Sequence, residues 1–178
     1  MEKNKRRKRI ILYIIAGLFS LPLVFLFYNE IKATIFVTFF IVGNIVLSAY
    51  KRDFQLPIEI EILTLGIVLC TINYGLKAGM LIAIFGTVLS SAFYGYYSPF
   101  LVPMVIGNVI AAFLVPYVPL PLFWLGVLAT FAKNMFVFVF YHFVFNYDIS
   151  KNLMYSISNI LVNLVLFLNI APFLARVM

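Results

Sequence analysis

A lysine stands in the middle of LGVLATFAKNMFVFVFYHF, at position 133, and an asparagine follows it. Placing an ammonium at the centre of an apolar segment costs about 2.5–3.5 kcal/mol on insertion scales. Lysines near a helix end can snorkel to water, but at about 1.5 Å rise per residue a mid-span lysine is too deep to reach either end. Lys133 must therefore face the bundle interior, where it meets a partner group, a water-filled cavity or a ligand. Asn108, Asn134, Asn159 and Asn163 fall at similar depth in three successive apolar segments. Asn159 and Asn163 lie one turn apart on the same face, with Ser156 close to it. The chemistry on offer is ligand binding. Lys133 would neutralise an anionic group, and the four amides would supply hydrogen bonds. Taken singly, each asparagine reads better as interhelical glue; their coincidence in depth is what raises the pocket reading.

Other reactive groups point to less. Glu59 and Glu61, in LPIEIEIL, are two residues apart and face different directions on a helix. They read as interfacial charge near Lys51 and Arg52, or as a protonatable carboxylate or a contact with a coupling subunit. His142 is the single histidine, which argues against a metal or haem site, and the lone Cys70 in an apolar run reads as a small buried hydrophobe. No phosphate-binding G-x-x-x-x-G-K-[ST] loop, H-E-x-x-H helix, G-x-S-x-G elbow or acidic magnesium cluster occurs. Enzymatic chemistry, ATP hydrolysis included, is not expected of this chain, and no cofactor is called for.

The elements that must carry these groups follow from composition. Of 178 residues, 65% are hydrophobic and 11% charged, too few charges to cover a water-soluble globule. An all-α, polytopic transmembrane helix bundle is expected. Apolar segments near the length of a span cover 10–28, 32–50, 57–74, 77–96, 100–117, 120–144 and 152–175, so the count is seven, or six if a short central segment is re-entrant. Residues 1–9, MEKNKRRKR, hold six Lys or Arg and one Glu. They read as a basic cytoplasmic tail that attracts anionic membrane lipid rather than nucleic acid. No A-x-A-like cleavage site follows, so the first apolar segment reads as retained. With the amino terminus inside, inside segments hold nine Lys or Arg against three outside, as expected for a multi-pass protein of the cell membrane. Residues 10–178 read as a single transmembrane domain.

The segment YGLKAGMLIAIFGTVLSS keeps Gly75, Gly79, Ala83, Gly86 and Ser90 small at steps of three and four. In lipid such a stripe lets helices approach closely. It serves packing within the bundle or docking of a partner subunit. Pro103, Gly107 and Ala111 repeat the device, and Ala16 with Ser20 gives a shorter version. TLGIVLCTINYGLKAGMLIAIFGTVLSS resembles the second-to-third helix region of substrate-capture (S) components of energy-coupling factor transporters, through Tyr74, Gly75, Gly79, Ala83 and Gly86. Ala16-x-x-x-Ser20 is similar to the small-x-x-x-small signature by which that family's first helix meets its coupling partner. Rod-shape-determining MreD-like proteins are resembled about as well. The first resemblance implies a solute-binding subunit for a small water-soluble nutrient, with its ligand site in the later helices. It also implies dependence on a transmembrane coupling subunit and a separate ATPase. The second implies a non-transport scaffold or a small subunit of a larger membrane complex.

Overall fold

The computed structural model describes residues 28–53, 60–93 and 98–178. The basic tail, the first expected span apart from Tyr28, and with them Ala16 and Ser20, lie outside the described residues, as does Glu59. The chain divides into two compact units, Met1–Thr34 and Ile35–Met178. In the first, Thr34 Oγ1 donates to the Glu30 carbonyl at 2.8 Å and Lys32 Nζ lies 5.6 Å from the centre of the Tyr28 ring.

Every regular element among the described residues is helical: α1 (Tyr28–Asp53), α2 (Leu63–Tyr74), α3 (Leu76–Phe93), α4 (Leu101–Tyr117), α5 (Leu122–Phe145), α6 (Ile149–Asn169) and α7 (Ala171–Val177). Four of them, α1, α3, α5 and α6, are long and apolar enough to cross a membrane. That number is compatible with a multi-pass membrane protein. α2 and α4 are shorter apolar helices. Helix ends follow local chemistry. Gly75, at φ 87°, makes the turn between α2 and α3, a conformation glycine adopts without Cβ strain. Asn146 closes α5 in the left-handed region at φ 50°, with the Tyr147 amide returning to the Tyr141 carbonyl at 3.1 Å. Asp148 then caps α6 by accepting from the Lys151 amide at 2.9 Å.

Two expected spans are corrected. The segment 57–74 becomes a helix only from Leu63, and twelve residues at about 1.5 Å each fall short of a hydrocarbon core about 30 Å thick. α2 is a core helix instead, buried continuously from Leu63 to Thr71, as a helix apolar all round should be. Hydropathy alone does not separate such a helix from half of a span. The segment 152–175 breaks at Ile170 into α6 and α7, because Pro172 has no amide hydrogen to continue the ladder.

Burial along α6 runs inside out. Asn152, Ser156, Asn159 and Asn163 are buried, while Leu153, Ile157, Leu161, Val165 and Leu168 are exposed. Apolar faces this continuous are those a lipid-facing helix presents, and water-soluble monomers seldom carry them. The stripe on α3 turns inward. A side chain at Gly79 would strike Thr71, and one at Gly86 would strike Leu63, both on α2. Ala83 is fully buried, and Ser90 accepts from Asn44 Nδ2 of α1 at 2.8 Å. Gly79, Ala83 and Gly86 therefore meet their own chain, so the docking reading of these three gives way to packing, whereas Gly75 lies exposed at the turn. A π turn at Ile82–Gly86 interrupts α3.

Gly79→Val, which drives two methyl groups into Thr71, is expected to destabilise the fold by about 1–3 kcal/mol. Leu81→Val, at an exposed position of the same helix, should change stability little. Thermal unfolding of the two variants in one detergent checks the contrast.

Candidate functional site

Lys133 is fully buried on α5, and its counter-charge is Glu61. The ammonium and the Glu61 carboxylate are in direct contact. Thr64 Oγ1 donates to Glu61 Oε1 at 2.8 Å and accepts from Lys133 Nζ at 3.2 Å, closing a three-membered cluster. Glu61 gets there because α2 starts late. The residue occupies the non-helical approach to α2, one position before the Ile62 cap. It is thereby carried to the level of Lys133 and set at the positive end of the helix dipole. The reading of Glu61 as interfacial charge near Lys51 and Arg52 is thus replaced by a buried ion pair. The available signal was electrical: Lys133 needed an opposite charge, and few acidic residues were on offer.

The amides converge on the same region. Asn159 Oδ1 accepts from Asn134 Nδ2 at 2.8 Å and from Asn163 Nδ2 at 3.2 Å, so three of the four expected asparagines form one network across α5 and α6. Asn159 lies beside the Glu61 carboxylate, which joins the network to the ion pair. Gly107 of α4 is what lets that helix press against the Lys133 stem and Val137. Gly126 does the same for Phe167 between α5 and α6. Asn108 stands apart. It is buried, but its Nδ2 donates at 2.8 Å to Thr87 Oγ1 on α3, as an interhelical tie between α3 and α4.

Much of this polarity is unspent. Among the described residues, buried atoms without a hydrogen-bond partner include Asn134 Oδ1, Asn163 Oδ1, Asn159 Nδ2, Ser156 Oγ and the Tyr155 hydroxyl. Tyr155 lies within electrostatic reach of Glu61, and Ser156 is one turn from Asn159 on the buried face of α6. A buried polar atom left unpaired costs about 1–3 kcal/mol, and most native structures keep such atoms few. These atoms are concentrated on one pair of helices, α5 and α6, near the one buried ion pair among the described residues. Ser156 was near the expected face, but Tyr155 was missed among the many aromatics.

Elsewhere the chemistry is thinner. His142 stacks on Phe138 with ring centres 6.5 Å apart, and its Nδ1 is also buried without a partner. Among the described residues no group of three or more His, Cys, Asp or Glu side chains is placed to hold a metal ion. An open groove of about 750 Å³ runs along the outer face of α3, lined by Tyr74, Gly75, Leu76, Lys77 and Met80. It is a separate apolar surface feature and includes none of the expected ligand-binding residues. No family model, curated protein or solved structure matches the chain.

Breaking a buried pair by removing one member typically costs about 3–5 kcal/mol, because a lone charge stays behind. Glu61→Gln and Lys133→Met are each expected to destabilise the protein on that scale. The double variant Glu61→Gln/Lys133→Met should lose far less than the sum of the two. Equilibrium unfolding of the four proteins in mixed micelles gives the coupling energy.

Proposed function

We propose that this chain is a membrane-embedded solute-binding subunit. It takes a small water-soluble molecule at the polar centre between α5 and α6, and it relies on a separate transmembrane coupling subunit and ATPase for energy. One observation carries the reading: the unpartnered polar atoms of Asn134, Tyr155, Ser156, Asn159 and Asn163 gather around one buried ion pair. Intramembrane polar residues that face the bundle interior commonly mark a substrate or ion path. The resemblance to substrate-capture components points the same way, since there too the later helices hold the ligand. From the sequence, the basic tail is assigned to the cytoplasmic side, and the small pair Ala16 and Ser20 is assigned to contact with the coupling subunit.

A second reading has its own support. Lys133 already has its countercharge in Glu61, and the α3 stripe is consumed by α2. A scaffold or small subunit of a larger membrane complex would need no more than that, with the asparagines acting as glue.

Ligand content separates the two. Purification in mild detergent followed by native mass spectrometry should show a stoichiometric polar small molecule bound to the wild-type chain. Asn159→Leu, which removes the hub of the amide network, should weaken its retention at least about tenfold, equivalent to about 1.4 kcal/mol. Recovery of lipid or protein subunits alone establishes the scaffold.

A further inference from the structure

We propose that the groove along the outer face of α3 binds one anionic phospholipid, with its phosphate on Lys77 and an acyl chain along Leu81 and Ile84. The site is separate from the α5–α6 centre and does not depend on the solute-binding reading. The groove is open and holds about 750 Å³, and of its lining residues Lys77 alone is charged. Spacing joins that charge to an apolar track. Lys77, Leu81 and Ile84 follow one another at steps of four and three, which keeps them on one face of α3. All three are exposed, and among the described residues no carboxylate pairs with Lys77.

Depth assigns the two ends of the guest. The 18 residues of α3, at about 1.5 Å each, give about 27 Å, close to the thickness of a hydrocarbon core. Its first turn, with Lys77, therefore falls at the level of lipid phosphates, and Ile84 lies about 10 Å deeper, among acyl chains. At the mouth, the Tyr74 ring stacks on Phe36 with centres 6.3 Å apart, and a Cβ at Gly75 would meet nothing within 4 Å. The space beside Lys77 is clear. The same face is ill suited to another helix. Close helix association in lipid calls for small residues, and Gly79 and Gly86 of α3 already face α2. What remains outward is Leu76, Met80, Leu81 and Ile84, long side chains that a flexible acyl chain can follow. A zwitterionic phospholipid offers the same tails, but its phosphate already has a cationic neighbour. An unpaired lysine therefore favours the anionic kind.

The test is native mass spectrometry of the full chain, purified in mild detergent and titrated with phosphatidylglycerol and phosphatidylcholine of identical acyl chains. One phosphatidylglycerol per chain is expected, held about fivefold more tightly than phosphatidylcholine, the worth of one surface lysine toward anionic lipid. Lys77→Gln should erase that preference, and because Lys77 is exposed the substitution spares the fold. Lys151→Gln, at an exposed position on α6, should keep the preference, which separates a site from diffuse surface charge. Glycerol 3-phosphate, a headgroup without tails, should bind at least about tenfold more weakly than the lipid, having no methylenes to bury. Phosphatidylglycerol with a photoreactive acyl chain should crosslink within residues 74–84. Equal retention of the two lipids, equal loss of preference in both variants, a headgroup that binds as well as the lipid, or crosslinks confined to other helices overturns the proposal. So does displacement of the lipid by a second copy of the chain, seen as a dimer crosslinked through residues 74–84.

Discussion

An ammonium in hydrocarbon cannot remain alone, and the rest of this structure is arranged around that constraint. Lys133 sits mid-way along a long apolar helix and is wholly buried, so a counter-charge had to be brought to it. The fold does this by starting α2 late. Had the helix continued back through Glu61, the carboxylate would have turned with the helical register. Released from the helix and tied to Thr64, it reaches the amine instead. α2 is therefore a short internal helix whose position is fixed at one end by electrostatics and along its length by packing.

Packing accounts for the remainder. A helix buried on every side needs neighbours that come close, and small residues make room for them. Gly79 and Gly86 receive Thr71 and Leu63 of α2, Gly107 receives the Lys133 stem, and Gly126 receives Phe167. Polar ties between the same helices, such as Asn44 with Ser90 and Asn108 with Thr87, add directionality that apolar contact lacks. Around this apolar core the helices expose many large apolar side chains, and α6 keeps its polar ones within. The α5 and α6 faces depart from this economy by keeping buried polar atoms without protein partners.

Much of this was legible in the chain itself. The interior orientation of Lys133 followed from solvation energy and helix rise, and the shared face of Asn159 and Asn163 from helical spacing. Their convergence with Asn134 agrees with both. The helix boundaries near Gly75, Pro121 and Asn146 followed from turn chemistry. Glu61 was not legible, because its depth depends on where α2 begins, and hydropathy does not distinguish a half-length core helix from a span. Asn108 matched the others in depth, yet depth says nothing about azimuth, and its helix turns it toward Thr87. The small stripe declared that something would lie against it. Only the three-dimensional arrangement identified that neighbour as α2 of the same chain.

The central claim is the contact between Lys133 and Glu61 in a bilayer, and solid-state nuclear magnetic resonance measures it directly. In the reconstituted protein, dipolar recoupling between the ¹⁵N-labelled Lys133 side-chain nitrogen and the ¹³C-labelled Glu61 carboxyl carbon should give the strong dephasing of a pair within about 4 Å. Retention of full signal at long mixing times would place the two charges apart and contradict the account.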